Sequence, residues 1–356
     1  MQTRETQGKL WSAAPADWVN YLEPTFIPMY ESVLKKIELD EDMMLLDAGC
    51  GSGLFLNIAS GTGATIHGFD AAPGLLEVAK KRLPSTTLLI EDLEAIPFND
   101  ETFDVVTGFN SFQYAGSFEN ALKEAKRVTK KEGRVVIGIW GKEEDCDAAS
   151  VFKKVSALMP PPPPGTPGPF ALSEEGRVER ICKSVGLNVV YKETVSCPWQ
   201  FSGNEELLRA YMCTAPCVKA AQNVGAVKVS EALLAGSQPF NLADEIYYMH
   251  NYFTFFIAEK ADQSPWQDCQ PAKERLHGGK PARCCLGDQA GSLYGAAAIR
   301  GRISPFSKPN QLSPVSGFEF QTSDNEGEAS LSLFHLRPVL NSVVLYDGDI
   351  RNHSPR

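Results

Sequence analysis

The stretch LLDAGCGSGLF, residues 45–55, decides the fold: an apolar run ends on an acid, Asp47, and then places three glycines in five positions. A glycine turn that follows a strand and feeds a helix offers backbone N–H groups and a positive dipole end, an environment suited to phosphate. A carboxylate at its mouth argues against phosphate. The spacing agrees. Gly49, Gly51 and Gly53 read G-x-G-x-G rather than the G-x-G-x-x-G of dinucleotide folds, and no G-K-[ST] follows as in a phosphate loop.

Outward from this turn, strands and helices alternate. Residues 43–48, 64–70, 86–92, 103–109 and 134–140 read as strands, and 53–60, 73–83 and 117–131 as helices. This rhythm predicts an α/β fold with a mostly parallel, doubly wound sheet and ligands at the carboxyl ends of its strands. Before the turn, residues 13–38 read as helical pieces broken by Pro24 and Pro28. After Trp140 come a helix near 147–158, a proline-rich extended connector at 160–170, a helix at 173–186 and a strand at 187–197. A mostly helical stretch, 203–236, then separates that strand from an aromatic one at 245–260.

Beyond Lys260 neither helical nor strand periodicity persists, and residues 261–356 are expected to form a poorly ordered extension to a domain at 1–260. The net charge of −10 lies wholly in the first part, because residues 261–356 hold ten basic and ten acidic residues. An acidic body repels phosphate backbones, so nucleic acid is not an expected partner. No apolar run approaches the roughly 18 residues of a spanning helix, and the polar start MQTRETQGKLW carries no apolar signal stretch. Nine cysteines without paired Cys-x-x-Cys knuckles suggest neither a disulfide framework nor a metal site. The expectation is a cytoplasmic protein, monomeric or homodimeric, acting on a small molecule.

Four segments in order, LLDAGCGSG, GFDAAPGLLEVAKKR, IEDLEAIPFNDETFDVVTGFNSFQY and EAKRVTKKEGRVVIGIW, give the chain a resemblance to the class I S-adenosylmethionine-dependent methyltransferases. The branch it looks like is that of the ubiquinone/menaquinone-type small-molecule enzymes. The resemblance covers about residues 9 to 260, most strongly up to 141. It implies a Rossmann-like, seven-stranded sheet whose last strand is antiparallel, under a helical cap formed by residues 9–35 and 197–245. It also implies S-adenosyl-L-methionine as cofactor and a small, largely apolar methyl acceptor.

The cofactor carries a sulfonium and an ammonium but no phosphate, so an acid at the turn is admissible. By this resemblance Asp47 meets the methionine part, and Gly49, Gly51 and Gly53 let the backbone approach it; Asp47 as a helix cap is the plainer reading. Asp70, at the end of the second strand, suits the two vicinal hydroxyls of a ribose. Asp92 and Leu93 would meet the adenine, against a reading of Asp92 as a turn residue. Asn110 would offer its backbone carbonyl to the ammonium. Trp11, Trp18, Tyr21 and Tyr30 precede the sheet, in a region that folds over the cofactor in relatives. A ring there would attract the sulfonium by roughly 0.5–2 kcal/mol, with plain packing as the simpler reading of these four aromatics.

In-line methyl transfer draws mainly on positioning and desolvation, so a base is needed only where the acceptor must lose a proton. Gln113 lies where some relatives carry a histidine and offers no base. His250 is the one histidine placed to act as a base, with an ordinary strand histidine as the alternative. Two other functions stay open: a protein that binds the cofactor without transfer, and a nicotinamide oxidoreductase, which the glycine spacing disfavours.

Overall fold

The computed structural model describes residues 3–161, 170–243 and 245–261. Most of the proline-rich connector and all but the first residue of the expected C-terminal extension lie outside the described residues. The described residues form ten strands: β1 Met44–Ala48, β2 Thr65–Asp70, β3 Thr87–Ile90, β4 Phe103–Phe109, β5 Thr129–Trp140, β6 Leu187–Ser196, β7 Trp199–Phe201, β8 Asn241–Ala243, β9 Ile246–Met249 and β10 Tyr252–Lys260. Seven form one sheet in the order β3-β2-β1-β4-β5-β10-β6. Strands β1 to β5 run parallel, while β10 is antiparallel to both its neighbours, β5 and β6. The order reverses between β1 and β4, and in a doubly wound sheet the crevice beyond the strand ends at that point receives ligands.

Strand periodicity divides the core into two layers. Leu45, Val105, Val136 and Phe255 pack on one face, and their neighbours Leu46, Val106, Val135 and Phe256 on the other. Successive side chains of a strand point to opposite faces, so two adjacent apolar residues serve two cores. The inner strands are accordingly buried almost throughout, whereas edge strand β6 is buried only at Leu187 and then alternates exposed and partly exposed positions.

Local differences from the sequence reading have identifiable causes. The helix expected over 117–131 ends at Val128, where the Thr129 hydroxyl donates to the Ala125 carbonyl at 2.7 Å and the chain enters β5. The N-terminal helical run is divided just before Pro24 and Pro28, each proline opening a new segment. They stand in the first turns of Glu23–Phe26 and Ile27–Ile37, where a missing N–H leaves no helical bond unmade.

The strand expected over 245–260 is two strands, β9 and β10, and β9 belongs to a separate sheet of order β7-β9-β8. Asp147, at the start of the helix Asp147–Ser156, causes the break. Its N–H donates to the His250 carbonyl at 2.9 Å, and its carboxylate accepts the His250 N–H at 2.7 Å. The Asn251 side chain accepts the Ala148 N–H at 3.1 Å. Those backbone groups are thereby withdrawn from strand pairing.

A buried ion pair ties the cap to the sheet domain. Glu23, only 3% exposed, receives both terminal nitrogens of Arg82 at 3.0 Å and the hydroxyl of Ser52. Arg82 also donates to the Ser52 carbonyl at 2.9 Å. The N-terminal segment, the glycine turn and the end of the helix Pro73–Arg82 therefore meet in one polar cluster. Removing one partner of such a pair leaves an uncompensated charge and costs about 3–5 kcal/mol. We expect Arg82→Met to lower the unfolding free energy by about that amount in urea titrations, and Glu23→Leu/Arg82→Met to recover much of the loss; equal stability of the two variants would show that the charge is not what matters.

Candidate active site

The turn after β1 is built from left-handed backbone. Gly49, Gly51 and Gly53 have φ of 84°, 54° and 77°, a region that side chains with a Cβ rarely occupy. Gly49 is also required by contact: a Cβ there would stand 2.3 Å from that of Ser111, whose hydroxyl donates to the Ala48 carbonyl at 2.6 Å. The N–H groups of Gly49 and Cys50 both donate to the Phe69 carbonyl, at 2.8 and 2.9 Å, and that of Gly51 donates to the Asp70 carboxylate at 2.8 Å. The turn thus spends these donors on the end of β2 instead of presenting them to a phosphate.

The carboxylates occupy two depths. Asp70 accepts the N–H groups of Gly51 and Ala72, each at 2.8 Å. Burial raises its pKa, and these N–H donors pull it back. Asp47 lies deeper, 2% exposed, and accepts the Thr107 hydroxyl at 2.7 Å. Burial pushes Asp47 up to about 7, opposed by the Thr107 hydrogen bond and reinforced by the charge of Asp70. It does not cap the following helix, whose N-cap is Gly53 without a side-chain bond.

An open cavity sits at the carboxyl ends of β1 to β4. Of the residues singled out from the sequence, Gly49, Gly51, Asp70, Asp92, Leu93 and Asn110 line it together. Asp47 and Gly53 are not in its lining and support the turn from behind. Asp92 also makes the local turn bond, accepting the Glu94 N–H at 3.0 Å, so the two readings of that residue coexist in place. Asn110 has φ of 49°, with its N–H bound to the Gly138 carbonyl at 2.8 Å. A non-glycine residue in this conformation at the end of a central strand is the kind of backbone strain that concentrates at functional sites.

His250 is not part of this cavity. Its side chain is exposed and lies edge-on to Tyr248 at 5.1 Å, while its backbone is fastened to Asp147.

The roof is aromatic. Trp11, Trp18, Phe26, Tyr30, Phe109 and Tyr114 all face the cavity. They form a chain of contacts: Trp11 meets Trp18 at 5.4 Å and Tyr114 at 5.6 Å, Trp18 stacks on Phe26 at 5.8 Å, and Tyr30 meets Phe109 at 5.0 Å. Tyr21 lies outside, beneath the Arg209 guanidinium at 4.9 Å. The described residues of 197–245, expected in the cap, contribute no lining residue; they brace it from outside through Arg209, which donates to Asp17 at 2.7 Å. Burial raises the Tyr30 phenol well above its ordinary range, with Asp47 and Glu23 adding to the effect, and pushes Tyr114 up to about 12. Both phenols are therefore neutral donors at physiological pH.

Sequence reasoning passed over the polar helix Thr3–Trp11, which contributes Thr3, Arg4 and Gln7 to the wall. Its one local signal was Gly8, an unfavourable residue inside a helix unless another backbone must come close. A Cβ there would lie 2.1 Å from the Ala71 carbonyl oxygen.

The raised pKa of Asp47 makes stability depend on pH. An acid whose folded pKa exceeds its unfolded value of about 4 contributes stability that is complete below that value and lost as pH rises through about 7. Asp47→Asn removes this dependence while keeping an acceptor for Thr107. The variant should melt higher than the parent at pH 8, with the difference shrinking towards pH 4.5; a pH-independent difference in melting temperature would contradict the assignment.

Residues 46–137 match the family described as a methyltransferase domain. The chain is 30% identical over 133 residues to the sterol 4-C-methyltransferase strm-1 of Caenorhabditis elegans, covering 35% of this chain and 40% of that protein. It is 35% identical over 92 residues to the malonyl-[acyl-carrier protein] O-methyltransferase of Serratia marcescens, covering 26% and 36%. To the demethylmenaquinone methyltransferase of Thermotoga maritima it is 33% identical over 94 residues, covering 23% and 41%. The chain thus spans less than half the length of these relatives. The glycine turn and the acid ending β2, both in the cavity wall, thus lie on the segment, residues 46–137, that is similar to a methyltransferase domain.

Proposed function

We propose that the protein transfers a methyl group from S-adenosyl-L-methionine to a small, largely apolar acceptor. The observation that carries this reading is Asp70, whose carboxylate lines the cavity beside a glycine turn with its N–H donors already engaged. A phosphate-bearing cofactor would need those donors free, which also weighs against a nicotinamide reading. A ligand with hydroxyls and cationic groups needs acceptors, which Asp70 and Asp92 supply.

The cofactor would contribute an electrophilic methyl group on a sulfonium. The chain's part is to hold and enclose. Asp70 would accept from the ribose hydroxyls, Asp92 and the Leu93 backbone would meet the adenine, and the Asn110 carbonyl would face the ammonium. The rings of Trp18, Phe26 and Tyr30 would exclude water and give the acceptor an apolar wall, so that alignment and desolvation supply most of the acceleration. Tyr30 and Tyr114, held as neutral phenols, suit hydrogen-bond donation better than proton abstraction. A sterol and demethylmenaquinone, named for two of the relatives, are apolar molecules, in keeping with such a wall.

The methyltransferase domain would comprise residues 1–260, with 261–356 as an extension, since the last ladder of the sheet ends at Lys260. Six described cysteines are free and buried, which supports a reducing, cytoplasmic setting. No helix among the described residues is long and apolar enough to cross a membrane.

Asp70→Ala should weaken cofactor binding in calorimetric titration by about 1.5–3 kcal/mol, the scale of hydrogen bonds to a charged group. Unchanged binding would remove the ribose assignment. Truncation after Lys260 should leave melting temperature and cofactor affinity as they are in the full chain, and aggregation or lost affinity would move the domain boundary.

A further inference from the structure

The helix Thr3–Trp11 packs with Gly8 directly against the Ala71 carbonyl, one residue beyond Asp70. Arg4, Gln7 and Trp11 recur at helical spacing and share one face, and all three line the cavity. Two of them have partners in the wall: Arg4 pairs with Glu91 at 3.7 Å, and Trp11 packs edge-on against Trp18 and Tyr114. Gln7 is different. Its side-chain oxygen is buried and has no hydrogen-bond partner among the described residues. Folded proteins leave few buried polar atoms unpaired, and on a residue that lines a cavity the missing donor can come from a ligand.

The position indicates which part of the ligand. Gly8 holds the helix at the Asp70 end of the cavity, and Arg4 is tied to Glu91, the residue before Asp92. Asp70 and Asp92 are the two acids read above as facing ribose and adenine. We propose that Gln7 is a recognition residue for the adenosine half of the cofactor, its amide oxygen accepting a hydrogen bond from an N–H or O–H of that half. The inference rests on the cavity being the cofactor site. It adds to that site a polar contact delivered from the N-terminal helix.

The test is calorimetric titration of the full chain with two probes: S-adenosylhomocysteine, and 5′-methylthioadenosine, which keeps the adenosine and lacks the amino-acid part. Gln7→Leu and Gln7→Met, which lack an acceptor oxygen, should each bind both probes about 3–10-fold more weakly. Gln7→Glu keeps an oxygen at the same reach and should stay within about 3-fold of the parent. Wild-type affinity in Gln7→Leu or Gln7→Met, alongside lost affinity in Asp70→Ala, would overturn the role of Gln7 and leave the cofactor site standing. A loss confined to S-adenosylhomocysteine would overturn it too, by moving the contact to the amino-acid half. If Asp70→Ala also binds like the parent, the cavity is not the cofactor site and both readings fall.

Discussion

The arrangement depends on the buried pairing of Glu23 with Arg82. A carboxylate 3% exposed is tolerable only with its charge answered and its lone pairs filled, and both terminal nitrogens of Arg82 together with the Ser52 hydroxyl do this. The planar fork of a guanidinium fixes direction as well as distance. Because Ser52 stands between Gly51 and Gly53, the same cluster registers the N-terminal segment on the turn that forms the cavity floor. The aromatic roof of Trp18, Phe26 and Tyr30 is carried on that segment.

Floor and roof then impose complementary chemistry. The floor concentrates acceptors, since the turn's N–H groups are bound to Phe69 and Asp70 while two carboxylates gather beside it. Asp47 carries the strain of that choice: buried and close to another acid, it titrates near neutrality at about 7. A cationic ligand part nearby would favour its charged form, which gives the opening acid a physical reason to be there. The roof, by contrast, offers ring faces and two neutral phenols. Such a chamber can enclose an apolar molecule and hold a positive centre without any strong base.

Much of this was legible from local spacing. The glycines at 49, 51 and 53 make left-handed backbone accessible in a tight turn, and paired apolar residues such as Leu45-Leu46 and Val105-Val106 announce a sheet covered on both faces. Asp70, closing its strand, needed only the end of β2 to be placed. His250 shows the opposite case. Its aromatic surroundings read as one continuous strand, and it is Asp147, 103 residues away, that pulls it out of the ladder and away from the cavity.

The sequence by itself therefore determined the parallel layered fold, the conformation of the turn and the identity of the acids beside it, because backbone sterics and side-chain period act within a few residues. Tertiary structure alone decided that β10 inserts between β5 and β6, that Glu23 finds Arg82 across 59 residues, and that a polar helix bearing Arg4 and Gln7 becomes a cavity wall. These outcomes rest on close approach and desolvation between distant segments, which exist only after the chain has packed and are written in no local pattern.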